Sequence, residues 1–573
     1  MPDAPSPSPS ALAHNRRRFT FGLGALGLGA SLLPGALTAV AGEAQTLTAE
    51  HVRGAARIAG LDFSDEEIEK IVVELNKPDG LPADFAALTA ENLPNHAPPA
   101  FVFNPLPVGF QPPQGKPVWK PSKIRAPKPA GDEDLAFLPV THLARLIEKR
   151  EITSTELTKL YLSRLKKYGP ELFCVVTLTE ELALHQARQA DEEIRRGRYR
   201  GPLHGIPWGA KDLLAVRGYP TTWGASPYKD QRLDFDAAVY ERLTAAGAVL
   251  LAKLSMGSLA QGDRWFGGRT RSPWNRENGS SGSSAGSGAA TAAGLVGFAI
   301  GTETRGSIIS PSRRCGVTGL RPTYGRVSRF GAMTLSWTMD KIGPMCRSAE
   351  DCALVFDVLN GADPRDPSPY PEVPFSWDAG RDPRTLRVGY LRSLVEGEAD
   401  EDRLEQRRAD EASLALLRTL GIDPKPIDLP SLPDDPLGFI LTVEAVAAFD
   451  GLHRGDRDAS MRAAPEESRR PDSSRLHRFV PAFEWIQANR VRRRIIDRLQ
   501  QEVFADLDLF LGSDLGLTNL TGHPEISLPN GFASNGEPLG LSLTGKLFGE
   551  PEILLLAHTL QKGSDYHQKI PYL

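Results

Sequence analysis

A glycine- and serine-rich run at residues 279–288 passes directly into an apolar segment, and this junction constrains the fold more than any other feature of the chain. A run of this composition standing alone is typical of a flexible linker. Here the apolar residues Ala289–Ile300 must be buried, so the run in front of them is held against a buried element. Glycine lets a backbone approach a ligand closely, because it has no Cβ atom. The junction therefore predicts a binding or catalytic loop.

Helical and strand-like segments alternate over residues 132–573. A capping box at 153–156 predicts the start of a helix, the apolar run at 248–252 predicts a buried strand, and 386–391 and 507–511 are further strand candidates. Such alternation is typical of one large α/β body. Hydrophobic residues make up 40% and charged residues 24% of the chain, which excludes a disordered chain, a collagen and a polytopic membrane protein.

The segments before this body have a different character. Residues 42–92 are predicted to be a small helical appendage, because a capping box at 64–67 precedes apolar residues at helical spacing. Residues 93–131 contain eleven prolines and are predicted to be an extended linker, since proline fits neither a helix interior nor a central strand. Within the body, the polar residues 453–476 show no periodicity and predict an exposed loop or lid.

The N-terminus has the order of a secretory signal. Arg16, Arg17 and Arg18 precede an apolar run from Phe19 to Val40, and residues 39–41 offer a small-residue cleavage site. Residues 1–41 thus resemble a twin-arginine (Tat) signal, which predicts an exported, periplasmic or extracellular protein without a stable membrane span after cleavage. An uncleaved membrane anchor is the alternative. A dinucleotide-type glycine pattern at 22–27 lies inside this signal and is discarded.

Charge and cysteine content restrict the partners. The net charge is −4, so no basic excess favours nucleic acid. The four cysteines include no C-x-x-C pair, which argues against structural zinc and iron–sulfur sites. We therefore expect neither a metal nor a nucleic-acid partner.

A lysine in an apolar setting is the first candidate for chemistry. Lys211 is surrounded by glycine, alanine, tryptophan and leucine. Burial disfavours the charged form of an amine and lowers its pKa, so that a neutral lysine can act as a base. Taken alone this signal is weak, because most lysines are solvated surface groups.

Several blocks in order resemble the amidase signature family, and the resemblance extends over roughly residues 132–573 with its densest part at 200–345. They are Gly205–Asp212, Gly279–Ser287, Gly301–Ile308, Cys315–Arg326 and Asp340–Pro344. The resemblance implies an α/β fold with a mixed central β-sheet covered by helices. It also implies an amidase that acts on a small-molecule amide without a cofactor, and it is compatible with a homodimer.

Carried over by position, the resemblance implies a Ser–cis-Ser–Lys triad. Ser307 would be the nucleophile, Lys211 the base, and Ser283 the bridging serine that follows a cis peptide bond. Backbone N–H groups of residues 304–307 would stabilise the oxyanion, namely those of Thr304, Arg305, Gly306 and Ser307. Ser284 would be a supporting hydrogen-bond partner.

Three positions depart from the family pattern. Arg305 and Ile309 stand where the family usually has glycine and arginine, and Ala285 replaces a glycine. Arg305 either changes the loop, because glycine allows unusual backbone angles, or places a guanidinium in the pocket that favours anionic substrates. None of these changes removes a member of the triad.

Other interpretations remain open from the sequence. The helical segment 47–77 resembles the small C subunit of tRNA-dependent amidotransferases, so the chain could be the glutamine amidohydrolase of such a complex, its A subunit. Residues 282–286 match G-x-S-x-G, which would make Ser284 an esterase nucleophile if a strand preceded it. A non-catalytic binding module is the third class. Asp212, His204 and His523 are interpreted as packing or pocket-lining residues.

Overall fold

The computed structural model describes residues 46–573 except 92, 126, 368–369, 399, 455–457 and 464–474. The predicted signal at 1–41 lies outside the described residues. Within the described part, residues 46–97 with 475–486 form one unit, and the remainder forms a second, larger unit. None of the helices in this part is long and apolar enough to cross a membrane.

The smaller unit contains three helices from the N-terminal segment. The predicted capping box is present, because Ser64 and Glu67 bond to each other's backbone N–H groups. The apolar side chains of this unit cluster around Leu47. Its helices are α1 (Ala49–Ile58), α2 (Asp65–Leu75) and α3 (Leu81–Ala90).

The larger unit is organised around a sheet of eleven strands. The strands of the chain are β1 (Trp119–Lys120), β2 (Val175–Leu178), β3 (Pro207–Lys211), β4 (Val249–Leu254), β5 (Arg264–Trp265), β6 (Gly268–Arg269), β7 (Phe298–Glu303), β8 (Thr318–Arg321), β9 (Lys341–Cys346), β10 (Trp377–Asp378), β11 (Val388–Leu391), β12 (Lys425–Ile427), β13 (Leu509–Leu511), β14 (Glu525–Phe532) and β15 (Pro538–Gly545). The sheet order is β12-β11-β13-β15-β14-β8-β9-β7-β3-β4-β2.

This sheet is mixed, as the resemblance implied. Strands β7, β3 and β4 run parallel, whereas β9 lies antiparallel between β7 and β8. Strands β3, β4 and β7 are buried along their whole length, which explains why their sequences are mostly apolar. The strands predicted at 248–252, 386–391 and 507–511 correspond to β4, β11 and β13.

Helices cover the sheet. They are α4 (Asp132–Ala136), α5 (Val140–Glu148), α6 (Ser154–Leu172), α7 (Glu180–Arg195), α8 (Ala238–Ala245), α9 (Ala285–Ala292), α10 (Ile309–Cys315), α11 (Ala349–Leu359), α12 (Glu401–Thr419), α13 (Phe439–Ala448), α14 (Asp450–Arg454), α15 (Ala459–Ala463), α16 (Ala482–Glu502), α17 (Leu515–Thr521) and α18 (Glu550–Lys562). The capping box at 153–156 starts α6 as predicted.

The structure agrees with one prediction about an irregular segment and disagrees with part of another. The proline-rich segment is extended along the larger unit, where β1 pairs with β10 and the Ser122 N–H donates to Glu350 Oε1 at 2.7 Å. The prediction of an exposed loop across 453–476 is wrong for residues 459–463, which form α15 with a buried Met461. Met461 anchors this helical turn, but one large apolar side chain produces no periodic pattern in the sequence.

Candidate active site

Lys211 is the last residue of β3, the third strand from one edge of the sheet, and is fully buried. Its Nζ lies 2.8 Å from Ser283 Oγ and 3.0 Å from Ser284 Oγ. It also lies 2.8 Å from the Oγ1 and 3.3 Å from the carbonyl oxygen of Thr302. Burial lowers the pKa of Lys211 to about 7, although the negative charges of Asp340 and Glu303 act in the opposite direction. The lysine therefore has the neutral, oriented amine that its sequence setting predicted.

Ser283 and Ser284 lie in the turn that leads into α9. The peptide bond between Gly282 and Ser283 is cis, as the resemblance implied. The Ser284 hydroxyl donates to the Thr302 carbonyl at 3.1 Å and accepts from the Thr302 N–H at 3.1 Å. A Cβ atom at Gly282 would stand 1.9 Å from the Gly262 carbonyl oxygen, so this turn requires glycine. Ser284 thus orients the lysine and anchors the turn to β7.

Ser307 lies in the turn between β7 and α10. The Ser284 N–H donates to the Ser307 carbonyl at 3.1 Å, which joins the two serine-bearing turns. Gly306 has a φ of 87°, a conformation that side chains rarely adopt, and a Cβ there would stand 3.1 Å from Leu515 Cδ1. The fold therefore brings Lys211, Ser283, Ser284 and Ser307 into one site.

The backbone N–H groups of the Ser307 turn differ in whether they have a hydrogen-bond partner. Within the described part of the chain, the N–H groups of residues 304–307 donate no hydrogen bond. The next two N–H groups, of Ile308 and Ile309, donate to Glu303 Oε2 at 2.8 and 3.0 Å. Glu303 is fixed in turn by Arg321 at 2.7 Å, and this cation with its hydrogen bonds lowers the pKa of Glu303 to about 2 against the effect of burial. The turn thus leaves four N–H groups without a hydrogen-bond acceptor among the described residues.

The departures from the family pattern are accommodated locally. Arg305 has no positive φ and its side chain is exposed, so its backbone does not need glycine. Its guanidinium lies near two glycines, because a Cβ at Gly516 would stand 3.3 Å from Nη2 and one at Gly438 would stand 3.6 Å from Nη1. Ile309 is buried as the first residue of α10, and Ala285 is buried as the first residue of α9.

The remaining candidates have structural partners. Asp212 forms a fully buried ion pair with Lys253 at 2.9 Å, in keeping with a packing role. His523 stacks on Phe504, and burial lowers its pKa to about 3. The His204 Nδ1 accepts from a backbone N–H. All four cysteines are buried free thiols, and the described residues contain no group of three or more His, Cys, Asp and Glu that could hold a metal ion.

The interpretation of Ser284 as an esterase nucleophile is wrong. It requires a strand directly before the serine. Residues 273–284 are all described and contain no strand. The Ser284 hydroxyl is fully buried and already occupied by Thr302 and Lys211.

Sequence reasoning missed three residues that shape the site. Thr302 contacts Lys211 directly, Glu303 holds the turn after Ser307, and Asp340 accepts from Thr304 Oγ1 at 2.6 Å. Successive side chains of a strand point to opposite faces, so Thr302 and Glu303 lie on opposite faces of β7, but residues 298–303 are buried throughout and show no periodicity that could have identified them.

The chain is similar in sequence and in structure to several known proteins. A family profile described as Amidase matches residues 156–512. The A subunit of glutamyl-tRNA(Gln) amidotransferase from Methylococcus capsulatus is 34% identical over 485 residues, which cover 75% of this chain and 98% of that protein. The native peptide amidase of Stenotrophomonas maltophilia is similar in structure, with a TM-score of 0.65 and 29% identity over 74% of this chain and 96% of that one. A 6-aminohexanoate cyclic dimer hydrolase complexed with substrate has a TM-score of 0.63 and 26% identity, over 76% and 99%.

Proposed function

This chain belongs to the amidase signature family, whose members hydrolyse carbon–nitrogen bonds, and from that premise we propose that it cleaves a small-molecule linear amide through an acyl-enzyme on Ser307. The products are a carboxylate and ammonia or an amine. The observation that carries the proposal is the buried Lys211 Nζ at 2.8 Å from Ser283 Oγ. A buried neutral amine beside a serine relay is the activating base that a serine nucleophile requires.

Acylation follows from the order of these groups. Ser307 Oγ attacks the amide carbon while its proton passes to Ser283, and the Ser283 proton passes to Lys211. The carbonyl oxygen becomes an oxyanion, which the free N–H groups of residues 304–307 stabilise. When the carbon–nitrogen bond breaks, the proton returns from Lys211 through Ser283 to the leaving nitrogen.

Deacylation uses the same relay. A water molecule gives its proton to Ser283 and Lys211 as it attacks the acyl carbon, and the Ser307 oxygen leaves and is reprotonated. Ser284 and Thr302 supply the hydrogen bonds that keep the lysine aimed at Ser283. No step needs a cofactor.

The test is ammonia release by the full chain from a panel of amides, with Ser307→Ala beside the wild type. The panel contains glutamine, peptide C-terminal amides, aryl amides and fatty amides, and amides with an acyl carboxylate because the Arg305 guanidinium is exposed at the Ser307 turn. Ser310→Ala is the matched control, since it alters a serine of the same segment outside the relay. Loss of turnover in Ser307→Ala alone supports the proposal. Turnover that survives in Ser307→Ala refutes it, and silence of the wild type would favour a binding module.

A second candidate is the glutamine amidohydrolase of a tRNA-dependent amidotransferase. The identity of 34% to the Methylococcus capsulatus protein, over 98% of its length, favours this candidate. It predicts that glutamine is the best amide and that its hydrolysis rises when the other proteins of such a complex are added. The amidase proposal predicts full turnover by the chain alone. Measuring glutamine hydrolysis while those other proteins are added therefore distinguishes the two candidates.

For the location, we propose export by the twin-arginine route. The arginines at 16–18, the apolar run and the small-residue site support it. Fractionation of cells should find a shortened chain outside the cytoplasm, and Arg16→Lys with Arg17→Lys should retain the full-length chain inside. A wild-type chain of full length in the cytoplasm would refute export and favour the amidotransferase candidate.

A further inference from the structure

Asp340 joins the nucleophile turn to a second loop. Its Oδ1 accepts from the Thr304 hydroxyl at 2.6 Å, and its Oδ2 accepts from the N–H groups of Leu335 and Ser336 at 2.8 and 3.0 Å. Both carboxylate oxygens are therefore engaged, one on each segment. Burial raises the pKa of Asp340, and these three hydrogen bonds favour its ionised form against that effect.

The second loop is itself anchored to two helices. Glu444 of α13 is buried and accepts from the Ser336 hydroxyl at 2.6 Å and from the Thr338 hydroxyl at 2.9 Å. Arg492 of α16 is buried and donates to the Thr338 hydroxyl at 2.8 Å and carbonyl at 2.9 Å. The loop that donates hydrogen bonds to Asp340 is therefore itself held in place by Glu444 and Arg492.

We propose that Asp340 is a positioning residue for the amide hydrolysis, which holds Thr304 and with it the row of N–H groups that receives the oxyanion. Thr304 is the first residue after β7, so its side chain sets how the backbone leaves the strand toward Ser307. Glu303 fixes the far end of the turn through Ile308 and Ile309. Donors aimed in advance stabilise a developing charge without reorganisation, which is why their placement affects the rate. This inference rests on the proposed function.

The charge of Asp340 provides a readout that a purely structural role would not affect. Asp340 and Glu303 both raise the pKa of Lys211, against the larger effect of burial. The other titratable groups that face these two carboxylates are Arg321 on β8, Arg329 in the loop after it, Glu525 on β14 and Lys341 on β9, and burial lowers the pKa of Lys341 well below its usual value. Removal of the Asp340 charge leaves them in place. The pKa of Lys211 should then fall further, and the acid limb of the activity profile should move to lower pH.

The experiment compares kcat, KM and the acid limb of kcat/KM over pH 5–9 for the full chain and four variants. Asp340→Asn removes the charge, and Thr304→Val removes the hydroxyl while it leaves the charge. Thr304→Ser restores the hydroxyl. Asp351→Asn is the matched control, because Asp351 is a buried carboxylate that accepts from the Thr141 N–H away from the triad. Thermal unfolding confirms that each variant is folded.

Asp340→Asn should lower kcat by about tenfold with little change in KM, less than the roughly 10²–10³-fold effect of deleting an oxyanion donor itself. Its acid limb should move down by about 0.5–1 pH unit, below the roughly 1–3 units of a contacting charge pair. Thr304→Val should lower kcat similarly with an unmoved limb. Thr304→Ser should recover most of the kcat lost in Thr304→Val, and Asp351→Asn should match the wild type in both readouts.

Two results would overturn the inference. One is a kcat of Thr304→Val within about twofold of the wild type, an energy difference below that of a typical hydrogen bond. The other is an acid limb of Asp340→Asn that stays in place or moves to higher pH. If Asp340→Asn fails to fold, the Thr304 pair still decides the positioning role. Failure of the proposed function is recognised separately, because it appears as activity in Ser307→Ala.

Discussion

The pH dependence of amide hydrolysis should report the ionisation of Lys211. The pKa of this lysine is lowered to about 7 by burial, and only its neutral form can take the proton of Ser283. With one controlling group, the neutral fraction is about one tenth at pH 6, about half at pH 7 and about nine tenths at pH 8. We therefore expect kcat/KM to rise about tenfold from pH 6 to pH 8 and then to level off.

The assay is the initial rate of ammonia release at substrate concentrations well below KM, in buffers of constant ionic strength. The buried histidines are the competing explanation for a limb near neutrality. The pKa of His523 is lowered to about 3 by burial, which places it outside this window. His204→Gln serves as the control, and its profile should coincide with that of the wild type. A flat profile between pH 6 and 8, or a limb that disappears in His204→Gln, would refute the assignment of Lys211 as the base.

Three further predictions concern stability and backbone geometry. Lys211→Met should raise the unfolding free energy near pH 6 by on the order of 1–3 kcal/mol, because at that pH the wild-type lysine is mostly protonated and burial destabilises its charge in the native state. The gain should shrink as the pH rises above about 7 toward the pKa of the unfolded lysine, which urea unfolding at pH 6 and pH 10 would check. Asp410→Asn should stabilise the protein at pH 8 by about 1–3 kcal/mol but should not stabilise it at pH 4. The reason is that burial raises the pKa of Asp410 to about 6, so the stability of the wild type falls as this carboxyl ionises. Equal melting temperatures of the two proteins at pH 8 would contradict this. Gly306→Ala should lower kcat by about tenfold or more and lower the free energy of unfolding by about 1 kcal/mol. The reason is that φ is 87° at this position of the turn that carries Ser307, a conformation that a residue with a side chain rarely adopts. Unchanged kinetics would show that the turn tolerates another geometry.

The amino-acid sequence alone located the chemistry because the relevant signals are local. The glycine- and serine-rich run must be held against the apolar segment that follows it, and the capping boxes at 64–67 and 153–156 satisfy helix ends within four residues. The triad residues Lys211, Ser283 and Ser307 were carried over from blocks in a fixed order. The fold brings these residues into one site, and their roles are tested by the substitutions above.

The sequence failed where a contact depends on strand order. Lys211 and Thr302 are 91 positions apart and meet because β3 and β7 are parallel neighbours in the sheet. Thr304 reaches Asp340 because β9 lies antiparallel beside β7. The anchoring of the 335–339 loop by Glu444 crosses more than one hundred positions. None of these pairs produces a local pattern in the sequence, because the two partners are far apart in the chain and the residue type of one does not predict that of the other.

The sequence by itself thus determined the class of fold, the helix and strand segments with strong periodicity, and the residue types available for an amide-cleaving relay. Only the tertiary structure decided how far the pKa of Lys211 is lowered and which side chains orient its amine. Both depend on the removal of water and on partners from distant parts of the chain, so they exist only when the sheet is assembled.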